Sequence, residues 1–363
     1  MKSPKAAVAD RAPRKRKPAK RVAAGGPVTL REVARAAGVS PMTVSNLINE
    51  KAGTMRPETR LRIEAEIDRL GYRPHSMARS LRLARHSSIG MIIIDQAPHY
   101  LADPFTTQIL AGFSNRLNSN GYGLLLQGLS AEAFASSPLV RGIRTDAIGI
   151  LLSGPDATRR GIVEALARLG QPLVVFQETL RFSGADLCVI RQADREGGRL
   201  VGREVLRLGA RRLAMLAPAI DWPAIAERIE GVRDATGEVE GPVEFRVVRC
   251  GEADLRDTEA ALAQDIALHG QPDAILAGND QMGIAAMKLM AARGLAMPRD
   301  VAITGFNAFE FWQYTEPVLT TVRSRAYEMG ARGGEEILKR LSAGAFEQRE
   351  IVYPVELQRG GST

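Results

Sequence analysis

The sequence predicts an α/β protein whose large core is built as two facing lobes of parallel sheet, preceded by a small all-helical unit. Three observations carry this prediction. Residues 29–49 repeat apolar side chains at helical spacing on both sides of Gly38. From residue 88 onward, short apolar strands alternate with amphipathic helices. After residue 188 that alternation starts again, which is most simply two α/β halves. The 363 residues suffice for two or three domains with a sizeable core.

The helical unit is specified residue by residue. Thr29 and Glu32 form a capping box at the first helix start. Leu30, Val33, Ala34 and Ala37 share one face, and Gly38 can adopt the left-handed conformation that ends a helix. Ser40 caps a second helix with Pro41 at its first position. Val44, Leu47 and Ile48 turn inward, which leaves Met42, Thr43, Ser45, Asn46 and Asn49 outward. Two short helices joined this way match the helix-turn-helix that enters a DNA major groove, although a helical hairpin of another kind has the same pattern. Pro57 opens a third helix with Ile63, Ile67 and Leu70 inward and Gly71 as its stop; Arg56 is a poor cap for it.

Charge is concentrated at the N-terminus. Residues 1–27 hold nine Lys or Arg against Asp10, a net +8 that equals the formal charge of the whole chain. The segment lacks apolar periodicity and reads as a disordered basic tail, either touching DNA nonspecifically or only solubilising. Residues 73–87 carry Arg73, Arg79, Arg82 and Arg85 without an acidic residue. They read as a basic linker or as a short helix that orders on DNA.

In the core, strands are expected at 89–94, 123–126, 147–152, 173–176, 212–216, 245–248, 274–277, 301–304 and 351–357. Helices are expected at 107–117, 162–169, 195–208, 225–236, 257–268, 282–292 and 327–341. Residues 131–138 give no convincing long helix. The two cysteines, Cys188 and Cys250, form no disulfide framework, and the four histidines are scattered without metal-ligand spacing. No phosphate-cradling glycine loop or serine elbow appears. With no signal-like or membrane-length apolar run, a cytoplasmic location is expected.

The series Val28-Thr-Leu-Arg-Glu-Val-Ala, Ala37-Gly-Val-Ser, Thr43-Val-Ser-Asn-Leu-Ile-Asn49, Leu70-Gly-Tyr-Arg-Pro and Ala78-Arg-Ser-Leu81 resembles the LacI family of transcriptional regulators. Asn279-Asp-Gln-Met-Gly, Gly305-Phe-Asn and Pro317-Val-Leu-Thr-Thr-Val322 continue the match to about residue 358. A narrower likeness to the gluconate-type, sugar-acid branch rests on Phe309-Glu-Phe-Trp-Gln-Tyr and Tyr327-Glu-Met-Gly. The resemblance implies a helix-turn-helix headpiece at 28–72, a hinge at 73–87 and a periplasmic-binding-protein-like core at 88–358. It places a near lobe at 88–187 and 319–343 and a far lobe at 188–318 and 344–358. It also implies a homodimer, favoured over a tetramer because only a short Gly-rich stretch follows residue 358.

The resemblance further implies a sequence-specific repressor of a pseudo-palindromic operator, switched by a sugar or sugar acid held between the lobes. Pro41, Met42 and Asn46 fall at the base-reading positions. Asn46 can pair with adenine and Met42 can touch a thymine methyl, while Thr29, Ser40, Thr43 and Ser45 suit phosphates or local caps. Leu81, with Ala78 before it, matches the wedge that enters the minor groove. Asp103, Phe105, Arg228, Asp280, Asn307, Phe309 and Trp312 are the implied effector contacts. Read alone, Arg228 and Asp280 would be surface ion-pair residues, and Phe309 and Trp312 core aromatics. No cofactor or metal is expected. A solute-binding protein would leave the headpiece unexplained, an architectural DNA binder would leave the core unexplained, and an enzyme would need groups that the sequence lacks.

Overall fold

The computed structural model describes residues 28–48, 53, 55–73, 86–95, 100–142, 145–251 and 254–363. The basic tail and the hinge positions Ala78 and Leu81 lie outside the described residues. The chain divides into two units, Met1–Arg79 and Ser80–Thr363.

In the first unit, α1 (Leu30–Ala37), α2 (Pro41–Ile48) and α3 (Pro57–Leu70) close one small core over Val33, Ala34, Ala37, Val44, Ile63 and Tyr72. The caps are those the sequence specifies. Thr29 and Glu32 form the reciprocal box, and Gly38 sits at φ 63°. The Thr43 amide donates to Ser40 Oγ at 3.1 Å. Arg56 gives α3 no side-chain cap, and Pro57 and Gly71 mark its ends instead.

The second unit holds both lobes. Its first sheet is six-stranded and parallel, in the order β11-β5-β4-β3-β1-β2. Its members are β1 (Ser88–Ile94), β2 (Gly123–Leu129), β3 (Ile148–Leu152), β4 (Leu173–Phe176), β5 (Leu187–Gln192) and β11 (Glu350–Tyr353). The second sheet runs β7-β6-β8-β9, from β6 (Arg212–Pro218), β7 (Glu244–Cys250), β8 (Ala274–Ala277) and β9 (Ala302–Thr304). β10 (Thr321–Arg323) pairs antiparallel with β12 (Glu356–Gln358). Six of the seven residues of β1 are buried, as a strand covered on both faces requires.

The lobe boundaries differ from those expected. β5 hydrogen-bonds to β4, so the first lobe runs on to residue 192, and it takes back 350–353 as an edge strand. Residues 320–323 instead join the second lobe, through the Thr304–Thr320 bridge and β12. The single strand expected at 351–357 is two strands in different sheets, broken at Pro354, which has no N–H for a ladder. The core does not stop at 358 either. Ser362 is fully buried, its hydroxyl donating to Ile303 O while accepting from the Thr320 amide. Among the described residues between β2 and β3 there are only a 3-10 turn (Phe134–Ser136) and α5 (Pro138–Arg141), in line with the weak helical signal there.

Each lobe is stiffened by two helices that cross almost backbone to backbone. In the first, α4 (Pro104–Asn118) meets α11 (Ala326–Ala343), and a Cβ on Gly330 would fall 2.0 Å from Ile109 O. In the second, α7 (Asp194–Arg207) meets α8 (Pro223–Thr236), and a Cβ on Gly231 would fall 1.9 Å from Arg195 O. The second crossing holds the inner ends of α7 and α8 in a fixed relation, and both helices begin at the waist between the lobes. The remaining helices are α6 (Asp156–Ala167), α9 (Leu255–His269) and α10 (Asp280–Ala292).

Candidate functional site

The headpiece presents α2 with little of its own charge and with an exposed leading edge. Pro41 is exposed and Met42 is 63% exposed, while Thr43, Ser45 and Asn46 are partly covered. Asn46 makes no side-chain hydrogen bond among the described residues, so its amide is available to an outside partner. Thr29 and Ser40 already hold local partners. Thr29 Oγ1 bonds Glu32 Oε2 at 2.9 Å, and the Ser40 and Thr43 hydroxyls lie 2.8 Å apart. The Glu32 carboxyl is held below its ordinary pKa first by the Thr29 backbone amide and then by the Thr29 hydroxyl. Glu32 is thus ionised at neutral pH and keeps the box closed.

The lobes enclose a cavity of about 530 Å³. Its lining comes from segments at the carboxyl ends of the parallel strands, where open α/β sheets collect their ligands. Asp95 follows β1, Gln177 follows β4, Ala219 and Ile220 follow β6, Gly251 follows β7, and Gly278 and Asn279 follow β8. Asp103 caps α4, its carboxylate accepting from the Phe105 and Thr106 amides at 3.3 and 2.8 Å. Phe105, one residue into that helix from Pro104, supplies an aromatic wall. Trp222 stands opposite and packs against the main core clusters of both lobes. Beside it, the Gly154 amide of the first lobe donates to Asp221 O of the second at 2.7 Å.

Arg228 is the one cation among the described lining residues. It is not a surface group: its side chain and that of Asp194 are each only 5% exposed. Nε donates to Asp194 Oδ1 at 2.8 Å, Nη1 donates to Gly278 O, and the guanidinium lies 3.6 Å over the Phe306 ring. Asp194 also accepts from Gln177 and Gln192 at 3.0 and 2.9 Å. Gln192 in turn accepts from Ser324 Oγ at 2.7 Å. Gln192 ends β5 and Ser324 directly follows β10, two of the three places where the chain passes between the lobes, and the third, after β11, is tied in by Ala193 N donating to Tyr353 O. A hydrogen-bonded path therefore runs from the cavity to the waist.

Of the expected effector contacts, Asp103, Phe105, Arg228 and Asn307 line the cavity. Asp280, Phe309 and Trp312 do not. Asp280 is 1% exposed beneath the loop that carries Asn307, where it accepts from Thr321 Oγ1 at 2.5 Å and from the Phe309 amide at 3.3 Å. Burial pushes its carboxyl up to about 7, against the pull of Thr321, the 308–309 amides and Arg228. Phe309 packs against the first lobe's core, and Trp312 is buried in a 3-10 turn (Glu310–Tyr314). Sequence reasoning missed Tyr100, Gln177, Trp222, Asp254, Thr258, Asn279 and Gln281. Trp222 had a readable signal, a large aromatic between a strand end and a Pro-opened helix. Gln177 had none, since its φ of 57° emerges only in the folded chain.

Residues 29–75 match the family model for bacterial regulatory proteins of the lacI family, and residues 203–363 match that for a periplasmic binding protein-like domain. The chain belongs to the lacI family of bacterial regulatory proteins. The lacI-family relatives include the HTH-type transcriptional repressor PurR of Vibrio atlanticus, 26% identical over 91% of this chain and 97% of that protein. The ribose operon repressor of Bacillus subtilis is 24% identical over 90% and 96%. Among solved structures, a transcriptional regulator CelR–cellobiose complex superposes with a TM-score of 0.67 at 26% identity, covering 93% of this chain and all of that one. The lac repressor dimer bound to operator and an anti-inducer superposes at 0.80 with 24% identity, over 93% and 99%, and shares the fold. As a lacI-family member the chain is a DNA-binding transcriptional regulator rather than an enzyme.

Proposed function

We propose that the chain is a cytoplasmic, dimeric repressor that reads a pseudo-palindromic operator with α2 and is switched by a neutral sugar bound between its lobes. The observation that carries the effector class is the charge of the cavity. Among the described lining residues, Asp95, Asp103 and Asp254 stand against Arg228 alone, and Arg228 is already matched by Asp194. A ligand carboxylate would meet no spare positive charge among those residues, which argues against the sugar-acid branch. Hydroxyls can instead donate to the carboxylates and accept from Asn279 and Gln281, while Phe105 and Trp222 cover an apolar sugar face. PurR and the ribose operon repressor are repressors by name and CelR was solved with cellobiose, which supports a ligand-switched repressor. The path from Arg228 to Gln192 and Ser324 supports coupling of ligand to the waist. Lobe closure would then reset the spacing of two headpieces, with Leu81, seconded by Ala78, wedging the operator centre.

Operator footprinting with matched ligand pairs tests this reading. A neutral hexose or disaccharide is expected to change protection of one inverted repeat, and its aldonate or uronate counterpart is not. A response to the acids alone would overturn the neutral assignment.

Asn46→Ala is expected to weaken operator binding by about 1–3 kcal/mol, the worth of a bidentate base contact. Gel shift against the selected site checks it, and an unchanged affinity would remove Asn46 from base readout. The dimer is proposed to form along β2, an open edge with Leu125 and Leu126 42% and 39% exposed. Leu126→Lys should therefore sediment as a monomer and lose the gain of joined headpieces.

A further inference from the structure

Tyr100 forms part of the cavity wall and lies where a neighbouring side chain would otherwise stand. A Cβ built on Gly128 would fall 2.0 Å from Tyr100 Cε1 and 2.2 Å from Cζ, inside the ring's own volume. Gly128 sits near the end of edge strand β2, paired with Ile93 of β1. Strand alternation places it on the same face as Leu124, two residues per step, and Leu124 and Tyr100 both pack against the first lobe's core. Gly128 is not among the glycines with positive φ, so the backbone conformation does not call for glycine there. The space occupied by the Tyr100 ring does.

We infer that Gly128 is the seat that holds Tyr100 as the cavity wall, and that this pair sets the size of ligand the cavity admits. The inference rests on reading the cavity as the effector site. A methyl group at 128 cannot share the space with the ring. The strand is held by β1 on one side, so the ring is the part that yields. Its core side is filled, which leaves the cavity as the direction of escape. A displaced ring narrows the site, and large ligands lose binding before small ones. Removing the ring has the opposite effect.

The test measures calorimetric affinity for ribose and for cellobiose, as small and large neutral probes, with crystal structures of the variants. Gly128→Ala is expected to move the Tyr100 ring into the cavity and to weaken the larger probe at least tenfold more than the smaller. Tyr100→Ala in the Gly128→Ala background should restore the larger probe. Tyr100→Ala alone should keep the fold and shift preference toward the larger. The inference is overturned if the ring stays in place in Gly128→Ala, or if Tyr100→Ala fails to rescue. Equal affinities in wild type and variant would overturn it too. If neither probe nor any other neutral sugar binds the wild-type protein, the effector reading falls, and the ring position in the variant crystal still decides the seat.

Discussion

Asp194→Ala is expected to destabilise the core by about 3–5 kcal/mol, because it strands a buried cation. Arg228 has no water to turn to: its side chain is 5% exposed and is pinned by Gly278 O and the Phe306 face. Asp194 is also the common acceptor for Gln177 and Gln192, so two buried amides lose a partner at once. Urea unfolding of the two proteins reads the loss as a lower midpoint. Replacing both partners by apolar residues, Asp194→Leu with Arg228→Met, should recover much of that stability, since the desolvation cost of the pair disappears with it. The double variant should still be deaf to ligand, because the path to Gln192 and Ser324 starts at these two side chains. Asp194→Asn adds a sharper outcome. It keeps the shape but releases the positive charge of Arg228 into the cavity, so the variant should begin to bind sugar acids. An Asp194→Ala midpoint equal to wild type, or an Asp194→Asn protein that still rejects acids, would refute the neutralised-cation account.

The parts of this molecule that were legible in its sequence are those governed by local chemistry. The Thr29–Glu32 box, the Gly38 and Gly71 stops and the Ser40 cap depend on residues within three or four positions of one another, and each stands where the pattern put it. Alternating apolar strands revealed the two halves for the same reason. The waist was not legible. The pattern predicts no strand at 187–192, where the second half is expected to begin after residue 188 and Arg191 interrupts the apolar run, yet β5 lies there and pairs with β4 in the first sheet. β10 is three residues long, too short for any periodicity to show. The continuous 351–357 pattern hid a change of sheet at Pro354. Which side chains face the cleft was harder still. The resemblance made Trp312 an effector contact, but it is the core aromatic it reads as alone, whereas Trp222 drew neither reading and packs against both lobes. Family position carried Arg228 and Asn307 to the cavity, but Asp280 lies one layer behind it, because the first residue of α10 points under the 306–309 loop rather than out of it.

That placement makes Asp280 a source of pH dependence. An aspartate in the unfolded chain titrates near 3.9, whereas burial pushes this one up to about 7. Between those values the folded protein keeps a proton that the unfolded chain has released. Stability contributed by this group therefore falls as pH rises from about 4 to about 7 and levels off above it, a difference of about 4 kcal/mol across the window. Asp280→Asn removes the titration at the fixed cost of an amide facing the Phe309 N–H. The wild-type midpoint relative to the variant's should decline across the window, so the two curves converge or cross as pH rises. The same group should act on the ligand. Thr321 Oγ1 and the Phe309 amide both point at its oxygens, and protonation weakens the grip on the loop that presents Asn307. Ligand affinity of the wild type should consequently change between pH 6 and 8 and stay flat in Asp280→Asn. Parallel stability curves for the two proteins over pH 4.5–8 would show that this carboxyl is ionised throughout, and the loop would then owe its position to Asp280's charge rather than to its protonation.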